Sequence, residues 1–289
     1  MGKYIKEMRI KHYLKNILIF LPIVFSGNFF DVNNLLKCIW GFLSFSMLAS
    51  VIYIVNDIKD VEKDKKHIEK CKRPIASGKL KIKNAIIFLI VLLIISFVFN
   101  YMACGINNVY SYIFLLAYLI LNVLYSFGLK NEPIIDIVIL VSGFLIRVMY
   151  GASIIGVEIS NWLYLTVISG AFYMGLGKRR NEIKKQGDKS REVLKRYNQN
   201  FLDKNMYVFV ALCIVFYSLW CVDSNTIIKI GSNILIWTVP VLMIIFMKYS
   251  LDIEGDSYGD PIDVIFNDKS LIAIIIMFVI LIFGIVYLL

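Results

Sequence analysis

Histidine is scarce in this sequence, with 2 among 289 residues, and the five cysteines show no Cys-x-x-Cys spacing. Structural and catalytic zinc sites are built from closely spaced cysteine and histidine side chains, so a zinc site of either kind is excluded. The thiols are expected to be free. A catalytic constellation built on histidine is excluded on the same ground.

Charged residues are also few, at 18% of the chain, whereas 59% of the residues are hydrophobic. A soluble domain of this length would be far more polar. The apolar residues collect in runs that approach the length needed to cross ~30 Å of hydrocarbon. There are about nine such runs, near residues 17–30, 35–55, 84–103, 108–127, 134–156, 161–176, 206–222, 231–250 and 271–289. The sequence therefore predicts an all-α integral membrane protein with about nine transmembrane helices.

The positive charges predict an orientation. All but three of the 31 lysine and arginine residues fall in segments that share one side of the membrane if nine spans alternate. Because cytoplasmic loops carry the excess of positive charge, the amino terminus is predicted to be cytoplasmic and the carboxyl terminus outside. The net charge of +10 is therefore expected to lie on one face of the protein, where it meets lipid headgroups. Nucleic acid is not an expected partner.

The loops predict the organisation of the chain. Two long charged loops follow the second and the sixth predicted helices, and the outer loops are short. Residues 1–289 are read as a single polytopic membrane domain, with proposed four-helix halves at 14–130 and 131–250 and a ninth helix at 271–289. The chemistry is expected at the cytoplasmic face of the plasma membrane, and a homo-oligomer is compatible with the sequence.

An acidic cluster follows the second apolar run. If the helix continues past Val55, Asn56, Asp57, Asp60 and Asp64 fall on one arc of about 100°. Mg²⁺ is typically held by one or two carboxylates together with substrate phosphates, and such an arc could provide them. The alternative is a solvated helix end whose acids are balanced by lysines one turn away.

This spacing resembles the NDxxDxxxD motif of the UbiA superfamily of intramembrane prenyltransferases. The stretches "KNILIFLPIVFSG" (15–27), "KRPIASG" (72–78) and "YSFGLK" (125–130) are similar to the same family. The resemblance implies a nine-helix bundle in which Asn56, Asp60 and Asp64, with Asp57 nearby, hold Mg²⁺ against a diphosphate. It also places Lys70 and Arg73 in the continuation of this loop.

The second long loop departs from the usual pattern of that family. A second aspartate-rich motif is expected after the sixth helix, but the sequence there is "GKRRNE" (177–182). This resembles the decaprenyl-phosphate phosphoribosyltransferase branch of the superfamily. In that branch the diphosphate belongs to 5-phosphoribosyl 1-diphosphate and the acceptor is a polyprenyl phosphate. Lys178 and Arg179 are therefore expected to meet phosphate groups, with Glu182 beside them.

Other polar residues are candidates for the same site. Arg147 lies deep in an apolar run, where a charge is costly enough to be paired or functional, and both roles stay open. Tyr125 and Lys130 are candidate groups at the rim of a substrate cavity. A further acidic spacing after the eighth helix is predicted to be structural because glycine and proline interrupt it; it comprises Asp252, Asp256 and Asp260.

The resemblance implies an Mg²⁺-dependent transfer of 5-phosphoribosyl from its diphosphate to a polyprenyl phosphate, in the synthesis of a cell-wall or lipid-linked sugar. The first alternative is a prenyltransferase that moves a prenyl group from a diphosphate to an aromatic or glycerol-phosphate acceptor. The second is a small transporter, although transporters usually carry their charged groups near the bilayer midplane.

Overall fold

The computed structural model describes residues 2–67, 70–186, 192–255 and 259–288. The described part of the chain is helical and contains no β-strand. The α-helices are α1 (Gly2–Met8), α2 (Leu21–Phe25), α3 (Val32–Lys59), α4 (Val61–Lys65), α5 (Ile82–Cys104), α6 (Val109–Phe127), α7 (Ile135–Ile155), α8 (Asn161–Gln186), α9 (Gln199–Val222), α10 (Ser224–Ile230), α11 (Val239–Glu254), α12 (Pro261–Asn267) and α13 (Lys269–Tyr287). Short 3₁₀ segments connect them, at Ile10–Phe20, Lys70–Lys72, Leu129–Asn131, Glu192–Arg196 and Ile234–Thr238.

Within the described residues, seven helices are long and apolar enough to cross a membrane. They are Val32–Lys59, Ile82–Cys104, Val109–Phe127, Ile135–Ile155, Gln199–Val222, Ile234–Glu254 and Lys269–Tyr287. The chain is thus a multi-pass membrane protein. The span predicted at 17–30 is a 3₁₀ segment followed by the five-residue α2, and the span predicted at 161–176 lies in α8, whose second half is charged. The count of nine and the orientation of the termini stay predictions.

By contacts between its residues the chain divides into two compact units. The first consists of Met1–Lys130 and Ile146–Glu158, and the second of Asn131–Leu145 and Ile159–Leu289. The predicted halves share the boundary after Lys130, but the second half of α7 is assigned to the first unit and α13 to the second. The single-domain prediction stays a prediction.

The first unit is built around α3, which packs along α5. Ser44 and Ser96 tie the two helices together, each hydroxyl donating to the other residue's carbonyl oxygen (2.8 and 2.9 Å). Gly151 in α7 meets the backbone of the 3₁₀ segment so closely that a Cβ atom there would lie 2.2 Å from the Ile19 carbonyl oxygen. The apolar core of the first unit includes Ile19, Phe45, Leu48, Leu115 and Tyr150.

The second unit is built around the packing of α8 on α9. Phe172 and Phe209 stack across this pair with ring centroids 4.5 Å apart. The core also takes in Tyr173, Leu202 and Ile253 and extends to α13. One of the two charged loops thus belongs to each unit.

Candidate active site

The predicted acidic motif lies at the end of α3. The helix ends at Lys59, Asp60 has φ −96° and ψ 11°, and α4 begins at Val61. Asp60 N donates to Asn56 O (2.9 Å), and Asp64 N donates to Asp60 O (2.8 Å), so a hydrogen-bonded turn crosses the break. The side chains of the motif nevertheless divide into two groups with different partners.

Asp57 and Asp64 form the first group around one guanidinium. Arg73 Nη1 donates to Asp57 Oδ1 (3.0 Å) and to Asp64 Oδ2 (2.6 Å), and Arg9 also pairs with Asp57 Oδ1. Asp57 is 2% exposed and Asp64 is 4% exposed. The predicted cation Arg73 therefore holds two carboxylates of the motif inside the first unit.

Glu7 joins this group, although sequence reasoning missed it. Its side chain is buried, and it lies close enough to the Asp57 carboxyl for the two acids to interact. Burial, followed by the negative charge of Asp57, raises the pKa of Glu7 to about 8. The available signal was weak: Glu7 is the one acid in an amino-terminal stretch of five cations.

Asn56 and Asp60 form the second group, beside the end of α6. The Ser126 hydroxyl donates to Asn56 Oδ1 (2.6 Å), and Lys130 Nζ donates to both oxygens of Asp60 (2.9 and 2.6 Å). The Asp60 side chain is 25% exposed. Lys130 thus contacts the motif directly. Tyr125, on the last turn of α6, and Lys70, which begins a 3₁₀ turn, are half-buried.

The chemistry of the donors suits Mg²⁺, since the predicted metal ligands Asn56, Asp60 and Asp64 offer only oxygen atoms. No group of three or more His, Cys, Asp or Glu is disposed to hold a metal ion among the residues that the structure describes. One or two carboxylates are sufficient where a diphosphate supplies the remaining oxygens. Asp60 fits this case, because both of its oxygens already face one cation, the Lys130 ammonium.

Arg147 lies in the first unit and is 5% exposed. Its Nε donates to Asn16 Oδ1 (2.7 Å), its Nη2 donates to Tyr118 OH (3.2 Å), and its guanidinium stacks on the rings of Phe45 and Tyr118. Neutral oxygens and aromatic faces are the partners that stabilise a cation at this depth. These contacts give Arg147 a defined position between the 3₁₀ segment, α3 and α6.

Arg179, in the second unit, is completely buried. Its Nε donates to Asp136 Oδ2 and its Nη1 to Glu182 Oε2, both at 2.6 Å, and Tyr197 OH donates to Asp136 Oδ1 (2.5 Å). Burial and the hydrogen bond to Asp136 raise the pKa of Tyr197. Arg179, Glu182 and Asp136 thus form one network, in which the two carboxylates neutralise the guanidinium.

Lys178 is the cation of this segment that stays accessible. Its Nζ donates to Asp260 Oδ2 (2.8 Å), and its side chain is 25% exposed. Gly259 has φ +74°, and a Cβ atom there would lie 2.9 Å from Asn181 Cβ and 3.1 Å from Lys178 Cα. Asp260 also accepts a hydrogen bond from Ile262 N as the cap of α12, so the loop that begins at Gly259 fixes Lys178.

Two of the three aspartates after the eighth predicted helix, Asp252 and Asp260, have structural roles. Asp252 accepts from Lys248 (3.3 Å) within α11, and Asp260 caps α12. Asp256 lies outside the described residues.

A model of the UbiA prenyltransferase family matches residues 18–257. Two similar proteins are decaprenyl-phosphate phosphoribosyltransferases. The one from Corynebacterium glutamicum is 32% identical over 274 residues, which cover 92% of this chain and 81% of that protein. The one from Mycolicibacterium smegmatis is 30% identical over 280 residues, which cover 92% of this chain and 87% of that protein.

The fold is similar to a solved structure of a UbiA homologue from Archaeoglobus fulgidus bound to GPP and Mg²⁺. The TM-score is 0.68 at 18% sequence identity, with 98% of this chain and 99% of that chain covered. This similarity concerns the arrangement of the helices.

Proposed function

The chain belongs to the UbiA prenyltransferase family. We propose that it transfers 5-phosphoribosyl from 5-phosphoribosyl 1-diphosphate to a polyprenyl phosphate. The two phosphoribosyltransferases described above are similar to this chain over most of its length, and this similarity supports the assignment. One structural observation carries it: at the end of α8, Glu182 is the acid of the GKRRNE segment and is neutralised by Arg179. The segment therefore offers a phosphate an accessible cation, Lys178, instead of offering a metal ion a pair of carboxylates.

Asn56 and Asp60, with Asp64, are proposed to hold Mg²⁺ and through it the donor diphosphate. A bound Mg²⁺ would neutralise the negative charge that develops on the departing diphosphate. Lys130 lies at the same carboxylate and is placed to contact a diphosphate oxygen beside Asp60. The Mg²⁺ bound to the A. fulgidus homologue supports this proposal.

Cations of the chain are proposed to bind the other phosphates. Lys178 is the candidate of the second unit because it is partly exposed and because its Asp260 partner leaves two of its three N–H donors for a ligand. Lys70 and Arg73 are the candidates of the first unit. Arg179 is fully buried, so its proposed contribution is to fix the segment that carries Lys178, together with Glu182.

The transfer needs no strong general base. A lipid phosphate is an anionic nucleophile at neutral pH, and its oxygen forms the new bond to ribose C1 while the bond from C1 to the diphosphate oxygen breaks. Attack from the face opposite the leaving group inverts C1. The scarcity of histidine is compatible with this chemistry.

The active site is proposed to face the cytoplasm at the plasma membrane. The charges that would meet the donor lie in the segments that carry most of the lysine and arginine residues. A water-soluble sugar diphosphate and a lipid phosphate can both reach such a position, since it lies at the membrane surface.

The first test uses membranes that contain the chain, labelled 5-phosphoribosyl 1-diphosphate and a polyprenyl phosphate. Label is expected to enter the lipid phase, and EDTA is expected to prevent it. Asp60→Asn should abolish the transfer without reducing the amount of protein in the membrane, whereas Glu62→Gln, an exposed acid paired with Lys65, should not. Normal turnover of Asp60→Asn would exclude the metal assignment.

A further inference from the structure

A cavity of about 360 Å³ lies in the first unit, between the start of α3 and the ends of α5 and α7. It is lined by Lys37, by residues 102–105, by Asn108 and by residues 153–156. This volume is within the range of ordinary ligand sites, about 300–1,000 Å³. Lys37 and Asp57 are 20 residues apart in α3, a helical rise of about 30 Å. Because the hydrocarbon core of a membrane is about 30 Å thick, the cavity and the acidic motif lie at opposite membrane surfaces.

The cavity carries a positive charge. Among the described residues that line it, only Lys37 is charged. Lys37 is half-buried, and its ammonium is close enough to Cys104 of α5 for its charge to act on that thiol. It forms no hydrogen bond or ion pair with any residue that the structure describes. An ammonium that is kept partly out of water without a partner is unfavourable, and an anion in the cavity would relieve this cost.

The polar side chains around Lys37 already have partners. Asn108 Nδ2 donates to Ser153 O (2.7 Å), and Asn108 Oδ1 accepts from Ser111 N (3.2 Å). The Ser153 hydroxyl donates to a backbone carbonyl of its own helix. Asp31, the acid nearest to Lys37 in the sequence, caps α3 by accepting from backbone N–H groups of its first turn. The three N–H donors of the Lys37 ammonium are thus left for a ligand.

The surroundings of the cavity suit a lipid. Met102 lines it and is exposed, and Leu36, Tyr101 and Ile106, which are close to lining residues in the sequence, are exposed as well. Exposed apolar side chains of membrane-spanning helices contact the lipid, and a basic pocket between such helices can bind a lipid headgroup. A free anion would gain the contact with Lys37 but nothing from these apolar side chains.

We propose that the cavity binds the phosphate of a phospholipid headgroup through the Lys37 ammonium, while the acyl chains of that lipid lie against the exposed apolar side chains beside it. The length of α3 separates this site from the acidic motif of the candidate active site. Because residues of α3, α5 and α7 line the cavity, a lipid bound there links the ends of three helices. Such a ligand stabilises the folded chain, since it binds the folded state and not the unfolded one.

The test titrates phosphatidylglycerol onto the purified full chain in detergent and counts the bound molecules by native mass spectrometry. Basic segments elsewhere in the chain also attract this lipid, so the variants are compared with the unaltered chain. Lys37→Met is expected to bind one molecule fewer. Lys37→Arg, which keeps the charge, and Lys229→Met, which removes an exposed charge from α10, should bind as many molecules as the unaltered chain.

Equal numbers of molecules on Lys37→Met and on the unaltered chain would overturn the proposal and leave Lys37 only the role of neutralising the ends of α5 and α7. Loss of the same molecule in excess inorganic phosphate would also overturn it, because the cavity would then take a free anion. Should Lys37→Met not yield folded protein, phosphatidylglycerol with a photoreactive headgroup must label the peptide that contains Met102 in the unaltered chain. Absence of that label would contradict the proposal. Because neither substrate is present, the outcome is independent of whether the chain transfers phosphoribosyl groups.

Discussion

Asp57 and Asp60 are three residues apart in the chain but contact different parts of the first unit. Asp57 is buried between Arg9 and Arg73, and Asp60 is partly exposed and faces Lys130. The spacing of the motif predicts which residue types come together, because it follows from helical geometry. It does not predict their partners, because Arg9 and Lys130 come from distant segments whose positions depend on packing.

The buried Arg179 network predicts a large loss of stability on substitution. Arg179→Ala leaves Asp136 and Glu182 buried or half-buried without their cation, and removing one partner of a buried pair costs about 3–5 kcal/mol. The thermal midpoint of the purified protein in detergent should fall accordingly.

Arg196→Ala is the matched control for that substitution. Arg196 pairs with Glu132 in the same unit, but both side chains are more than half exposed. Exposed pairs contribute at most about 1 kcal/mol, so this midpoint should hardly move. Equal shifts for the two variants would contradict the structural role assigned to Arg179.

At the scale of the element, the loop that begins at Gly259 fixes the end of α8. Its backbone approaches Asn181 and Lys178 closely, and Asp260 both caps α12 and pairs with Lys178. Lys178 could be predicted because the segment around it resembles a family pattern. Its partner Asp260 was assigned only to a structural loop, because the residues are 82 positions apart and nothing in their spacing joins them.

Gly259→Ala is expected to displace this loop. The added Cβ atom would clash with α8 at a residue whose positive φ already disfavours alanine, and the Lys178–Asp260 pair should separate. If Lys178 binds a substrate phosphate, the KM for the sugar donor should rise several-fold, as steady-state kinetics would show. Gly284→Ala, with no atom within 4 Å of the added Cβ, should leave KM unchanged. A change of equal size in both variants would disprove the positioning role of the loop.

At the scale of the whole molecule, the membrane class follows from composition and the length of apolar runs, and it is confirmed by the seven long apolar helices found among the described residues. The number of crossings is harder to predict. Residues 17–30 are apolar, but Pro22 stands one residue into α2, and the chain there forms a 3₁₀ segment and a short helix. Hydropathy measures transfer from water and does not distinguish these local geometries from one long helix.

The predicted orientation can be measured with reporter fusions. Alkaline phosphatase, which is active only outside the cytoplasm, should be active when joined after residue 289 and inactive when joined after residue 133. The reason is that nine crossings place the two positions on opposite sides, with the positive loops inside. Activity at both positions, or at residue 133 alone, would contradict the predicted topology.

The identity of the donor is the central claim, and a competition between donors measures it most directly. The purified chain is given a polyprenyl phosphate, Mg²⁺ and equal amounts of labelled 5-phosphoribosyl 1-diphosphate and a differently labelled prenyl diphosphate. We expect the lipid product to carry the sugar label and the prenyl diphosphate to remain intact. Transfer of the prenyl label, with none of the sugar label in the lipid phase, would contradict the proposed donor.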